Sequence, residues 1–106
     1  MDPVQIADEA ALDEVLGAPS FLLLKHSPIC PISARAFEEY RAFVAEHPDV
    51  PTAWLDVIGQ RPLSRAVEAR TGIGHESPQA LWIRDGAVAW SASHEGITRA
   101  SLAELL

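Results

Sequence analysis

Apolar and polar positions along this chain change period several times, and each change marks an element. Ile6, Ala10, Leu12, Val15 and Leu16 recur with acids between them. That spacing predicts an amphipathic helix from about Asp8 to Leu16, stopped by Gly17 and Pro19. Ser20 to His26 is too apolar to have a solvent face and predicts a central strand. From Pro31 onward, Ile32, Ala36, Phe37, Tyr40, Phe43 and Val44 return every three or four residues. They predict a long helix closing near Glu46, beyond which Pro48 and Pro51 forbid continuation. Thr52 to Val57 reads as a second short strand. A helix opened by Pro62 and ended by Gly72 runs to about Thr71, with Leu63, Ala66 and Val67 inward. Gln79 to Arg84 and Ala87 to Ser93 are strands joined by the hairpin signal Asp85-Gly86. Thr98 then N-caps a final helix carrying Leu102, Leu105 and Leu106.

The order is helix, strand, helix, strand, helix, hairpin, helix. Two strands linked by a helix make a parallel pair with a right-handed crossover. With the hairpin and terminal helix added, the plan is α/β and thioredoxin-like, a central mixed sheet of about four strands flanked by helices. At 106 residues the chain suits a single domain, residues 1–106, with one core.

Charge narrows the function. Fifteen acidic residues against eight basic ones leave a formal net charge of −7, and no basic cluster interleaved with aromatics offsets it. Such a surface repels phosphate backbones, so nucleic-acid binding is not expected. The longest apolar runs, Phe21 to Leu24 and Ala80 to Ile83, fall far short of a membrane span. The start of the chain carries Asp2, Asp8 and Glu9 and no basic region, which is unlike a secretory signal. The expectation is a soluble cytoplasmic protein without membrane partners. One cysteine permits no internal disulfide, in keeping with a reducing compartment.

That cysteine holds the candidate chemistry. The apolar strand stops at Ser27-Pro28, Cys30 follows, and Pro31 opens the next helix. A thiol at a helix N-terminus sits among unpaired backbone N–H groups that favour the thiolate, the form that attacks disulfides or binds metals. Proline suits the first helical position, where its missing N–H costs nothing. The competing reading is a small buried apolar residue, since free cysteine is often buried. Redox helices often carry a second cysteine three positions on; here that position is Ser33. Its hydroxyl either donates to the thiolate or bonds the backbone of the first turn. In neither case does it form a disulfide, so Cys30 holds one thiol partner until an external thiol releases it.

In thioredoxin-like folds a cis proline faces the reactive cysteine, and the residue before it offers its backbone to the bound disulfide partner. Fold likeness assigns these roles to Pro78 and Ser77. His26, His75 and His94 each fall where a neighbour of the sulfur could stand, but taken singly each reads first as a satisfied structural histidine. His47 reads as a helix cap. Trp54, Trp82 and Trp90 read as core or sheet-face residues, and Glu38-Glu39 as a solvated helix surface. No His/Cys/Asp spacing matches a zinc site, and Gly72-x-Gly74 is too short for a nucleotide loop. No bound metal or cofactor is expected.

Lys25-His26-Ser27 followed by Cys30-Pro31-Ile32-Ser33 resembles the active-site segment of the monothiol bacilliredoxins, the YtxJ-like proteins. The likeness extends to Asp56-Val57-Ile58, Arg61-Pro62-Leu63-Ser64, His75-Glu76-Ser77-Pro78-Gln79, and Ser93-His94 with Ile97-Thr98. Pro28-Ile29 departs from the polar residues expected before the cysteine. The resemblance implies a general stress protein of the bacillithiol redox system. Cys30 would attack S-bacillithiolated proteins, take up bacillithiol as co-substrate, and be recycled by another thiol. Pro31, Ser33, Ser27 and His26 would support the cysteine, and Ser77, Pro78 and His75 would form the thiol groove, with Lys25 or a histidine assisting. Two other classes stand beside this one. The first is a monothiol glutaredoxin-like carrier holding an iron–sulfur cluster between two protomers. The second is a non-catalytic thioredoxin-fold interaction domain with Cys30 buried.

Overall fold

The computed structural model describes residues 3–106; Asp2, one of the acids noted above, lies outside them. Helix α1 spans Glu9–Leu16, with the Asp8 carboxylate accepting from the Ala11 N–H at 2.9 Å. Strand β1 is Ser20–His26, α2 is Pro31–Glu46, β2 is Thr52–Asp56 and α3 is Arg61–Thr71. The hairpin strands are β3, Gln79–Arg84, and β4, Ala87–Ser93, followed by a 3₁₀ turn at His94–Gly96 and α4 at Arg99–Ala103.

The sheet order is β2-β1-β3-β4. Strands β1 and β2 are parallel, whereas β1/β3 and β3/β4 are antiparallel. Central position explains the composition of β1, where Leu22, Leu23 and Leu24 have no exposed surface. Their alternation feeds two cores. Leu23 joins Leu12, Val15, Leu55, Leu63, Val67 and Leu81 beneath α1 and α3. Leu22 and Leu24 join Ala36, Tyr40, Phe43, Trp82 and Leu102 beneath α2 and α4. Truncating any of the three leucines to alanine is expected to cost about 2–5 kcal/mol.

Boundaries differ from the periodic reading in three places. Val57 leaves β2 because the Asp56 carboxylate accepts from the Ile58 and Gly59 N–H groups, both at 2.9 Å, and turns the chain. Helix α3 begins one residue before Pro62, since proline is tolerated throughout the first helical turn. Leu105 and Leu106 lie past α4, where the Leu105 N–H closes a tighter turn on Leu102, and Leu106 is exposed. Glu39 is also more than solvated surface. Its Oε1 accepts from the Arg99 N–H at 3.0 Å, while Glu46 pairs with the Arg99 guanidinium at 2.8 Å, fastening α2 to α4.

Candidate active site

Parallel strands β1 and β2 end at the same edge of the sheet, and β3 begins there. The β1/β3 register sets Lys25 opposite Gln79, so Pro78 starts its strand beside the end that leads to Cys30. The Ser77-Pro78 bond is cis, and Pro78 is buried. The Val57 N–H donates to the His26 carbonyl at 2.9 Å, binding the exits of β1 and β2 together.

Cys30 is partly exposed and occupies the N-cap of α2, in extended backbone at φ −104 and ψ 122. Its N–H donates to the Ser27 carbonyl at 3.3 Å, and its own carbonyl accepts from Ala34 at 2.9 Å to begin the helix. No side chain caps α2, and Pro31 supplies its first turn. The N–H groups left open at a helix start therefore remain on the side of the thiol.

Ser33 is fully buried and faces back toward β1. Its Oγ accepts from the Ser27 N–H at 2.8 Å and lies 2.9 Å from His26 Nδ1. This is the backbone-bonding arrangement. It pins the Ser27 to Cys30 loop onto the helix and leaves the sulfur without a second thiol nearby. His26 packs between Phe37 and Trp54, with ring centroids at 4.4 and 5.6 Å. Burial pushes its pKa down, against opposing pulls from Asp56 and the Ser33 contact.

The family resemblance gives Lys25 only an assisting place at the site, yet among the described residues it is the most deeply buried charged one, with no exposed surface. Its Nζ lies 2.7 Å from His75 Nδ1. The His75 N–H donates to Glu68 at 2.8 Å, so the loop before Pro78 is tied to both β1 and α3. The signal was present in the sequence: a lysine that continues an apolar run in a central strand has no solvent to reach.

Two cavities flank this end. One of about 400 Å³ is lined by Pro31, Ile32, Arg35, Glu39, His94 and Thr98 among others, and runs beside the first turns of α2. The His94 N–H donates to the Pro78 carbonyl at 3.1 Å, so one residue of this lining is bonded to the cis proline. Neither Ser77 nor Pro78 lines that cavity. The other cavity, of about 220 Å³, lies on the α3 side and includes His75. The remaining histidine, His47, is the C-cap of α2, with its ring against Phe43. Among the described residues no group of three or more His, Cys, Asp or Glu is placed to hold a metal ion, and no helix is long and apolar enough to cross a membrane.

The profile of the family described as monothiol bacilliredoxin BrxC matches residues 4–102. Among solved structures, a thioredoxin-fold protein described as a candidate oxidoreductase is 32% identical, with a TM-score of 0.88 over 96% of this chain and 91% of that one. Thioredoxin from Fasciola hepatica is 17% identical, with a TM-score of 0.75 over 96% of this chain and 94% of its own. Oxidised mitochondrial thioredoxin 3 from Saccharomyces cerevisiae is 11% identical, also at 0.75, covering 96% and 91%. The last two likenesses show the fold alone.

Proposed function

This chain belongs to the monothiol bacilliredoxin family, whose profile it matches over residues 4–102, and from that premise we propose that it removes bacillithiol from protein mixed disulfides through Cys30. Family and thioredoxin fold together support thiol redox function. The observation that carries the finer reading is the placement of the chain's one cysteine. It is partly exposed at an uncapped helix N-terminus, and the position where a resolving thiol would stand is a buried serine bonded elsewhere.

The chemistry balances as two exchanges. The Cys30 thiolate attacks the bacillithiol sulfur of the mixed disulfide. That S–S bond breaks, the substrate protein leaves as a thiolate and takes a proton, and Cys30 becomes disulfide-linked to bacillithiol. A second small thiol, as its thiolate, then attacks the bacillithiol sulfur, leaves as a disulfide with it, and frees Cys30. The protein substrate is reduced, and the second thiol is the reductant. Open N–H groups at the start of α2 stabilise the sulfur when it carries negative charge.

Intact mass tests this directly. Incubation with an S-bacillithiolated protein is expected to transfer one bacillithiol to the wild-type chain and none to Cys30→Ser. No adduct on a folded wild-type protein whose thiol still reacts with iodoacetamide would overturn the reading.

A further inference from the structure

The α3-side cavity is an exception to the acidic character of the chain. It is lined by Val57, Arg61, Ser64, Arg65, Glu68 and His75. Lys25, on the same face of the sheet, reaches this lining through its contact with His75. Neither Arg61 nor Arg65 makes a hydrogen bond or ion pair among the described residues, although a protein of formal net charge −7 offers many partners. The two arginines stand four apart on one helix, a spacing at which like charges repel and weaken the helix. The one acid in the lining, Glu68, is partly committed through its Oε2 to the His75 N–H at 2.8 Å. Buried Ser64 adds a hydroxyl 3.4 Å from His75 Nδ1. Two guanidiniums without a hydrogen-bond or ion-pair partner among the described residues thus share a cavity with a histidine that touches the buried Lys25 ammonium. Together they form a site for an anion bearing carboxylates, which arginine grips through paired N–H donors.

The site also lies at the reacting end of the fold. Val57 lines it, and the Val57 N–H is bonded to the carbonyl of His26, four positions before Cys30. A volume of about 220 Å³ suits a small diacid group rather than a whole cofactor. We propose that this cavity receives the carboxylates of the small thiol being transferred, so that Arg61 and Arg65 select a carboxylate-bearing thiol over one without. The proposal rests on the bacilliredoxin reading, in which the transferred thiol, bacillithiol, ends in a malyl dicarboxylate.

The experiment compares exchange rates on one substrate protein carrying either bacillithiol or cysteamine, which offers a thiol and an amine but no carboxylate. Wild type is expected to favour the bacillithiol form. In Arg61→Gln/Arg65→Gln, whose side chains are exposed and whose fold is checked by circular dichroism, the ratio of the two rates is expected to fall by about tenfold or more. Added salt is expected to lower the wild-type ratio and leave that of the variant nearly level. A ratio unchanged by the double substitution overturns the proposal, as does a wild type that handles both forms equally; both outcomes leave thiol exchange itself standing. A wild type that exchanges with neither form overturns the bacilliredoxin reading as well.

Discussion

Lys25 Nζ and His75 Nδ1 lie 2.7 Å apart, joining the central strand to the loop that precedes the cis proline. The pair explains how a charge sits in β1 with no exposed surface. The ammonium donates and the imidazole accepts, so the ring is neutral with its proton on Nε2. Burial lowers the Lys25 pKa to about 8, although Glu68 and Glu76 pull it upward. The His75 pKa is also lowered, by burial first and then by the neighbouring Lys25 charge.

The pair predicts an unusual alkaline profile. Between about pH 8 and the ordinary lysine value of 10.5 the unfolded chain holds a proton that the folded chain has lost, so stability rises with pH across that window. From pH 8 to pH 10 the gain is about 2 kcal/mol. Lys25→Met is expected to lose this slope. Tyr40, whose pKa is raised by burial, opposes it only above about pH 10 and is common to both proteins. Urea midpoints at the two pH values decide the matter, and parallel profiles for wild type and Lys25→Met would refute it.

His26 sets the acid side. Its pKa is lowered by burial, which outweighs upward pulls from Asp56 and the Ser33 contact. A base with a lowered folded-state value gives stability that is present above the ordinary histidine pKa of 6.5 and is lost as pH falls below it. The wild-type urea midpoint is therefore expected to fall from pH 7 to pH 5 more steeply than that of His26→Asn. His75 contributes to both proteins in the same direction. Equal slopes would show that His26 protonates without penalty.

Much of this architecture was legible in the chain because period and punctuation agreed. Strand β1, the hairpin and the start of α2 at Pro31 fall where alternation, Asp85-Gly86 and the Cys-Pro step place them. Side-chain partnerships were less visible, because they join residues distant in sequence. Ser33 bonding Ser27 depends on how tightly the Ser27 to Cys30 loop folds back, and no local pattern encodes that. Arg61 and Arg65 look like ordinary helix surface until β2 delivers α3 beside the end of β1. Tyr40 likewise looked only apolar, yet its hydroxyl lies 2.7 Å from Thr52 Oγ1, which in turn donates to the Leu22 carbonyl at 2.9 Å.

That Tyr40 chain links α2, β2 and β1 inside the core. Tyr40→Phe keeps the ring and removes one hydroxyl, leaving Thr52 still donating to Leu22. The expected loss is about 1 kcal/mol in denaturant unfolding at pH 7, with Cys30 reactivity unchanged. A variant as stable as wild type would mean that the hydroxyl is equally well satisfied in the unfolded chain.

Ser33 separates scaffold from chemistry most sharply. In Ser33→Ala the Ser27 N–H and His26 Nδ1 both lose a partner in a buried setting, which costs about 1–3 kcal/mol. Because Ser33 supplies no reacting atom, the Cys30 adduct with bacillithiol is expected to form and persist as in wild type. Ser33→Cys introduces the missing nucleophile. Its thiolate attacks Cys30 in the adduct, bacillithiol leaves as a thiolate and takes a proton, and an internal disulfide closes without an external thiol. Intact mass would then show the adduct decaying to a species two hydrogens lighter than the reduced variant. To get there the new sulfur must abandon the buried contacts that Ser33 holds, so decay is expected to quicken as mild urea loosens the first turn of α2. An adduct in Ser33→Cys that lasts as long as the wild-type adduct would show that the buried position keeps any side chain there out of reach of Cys30.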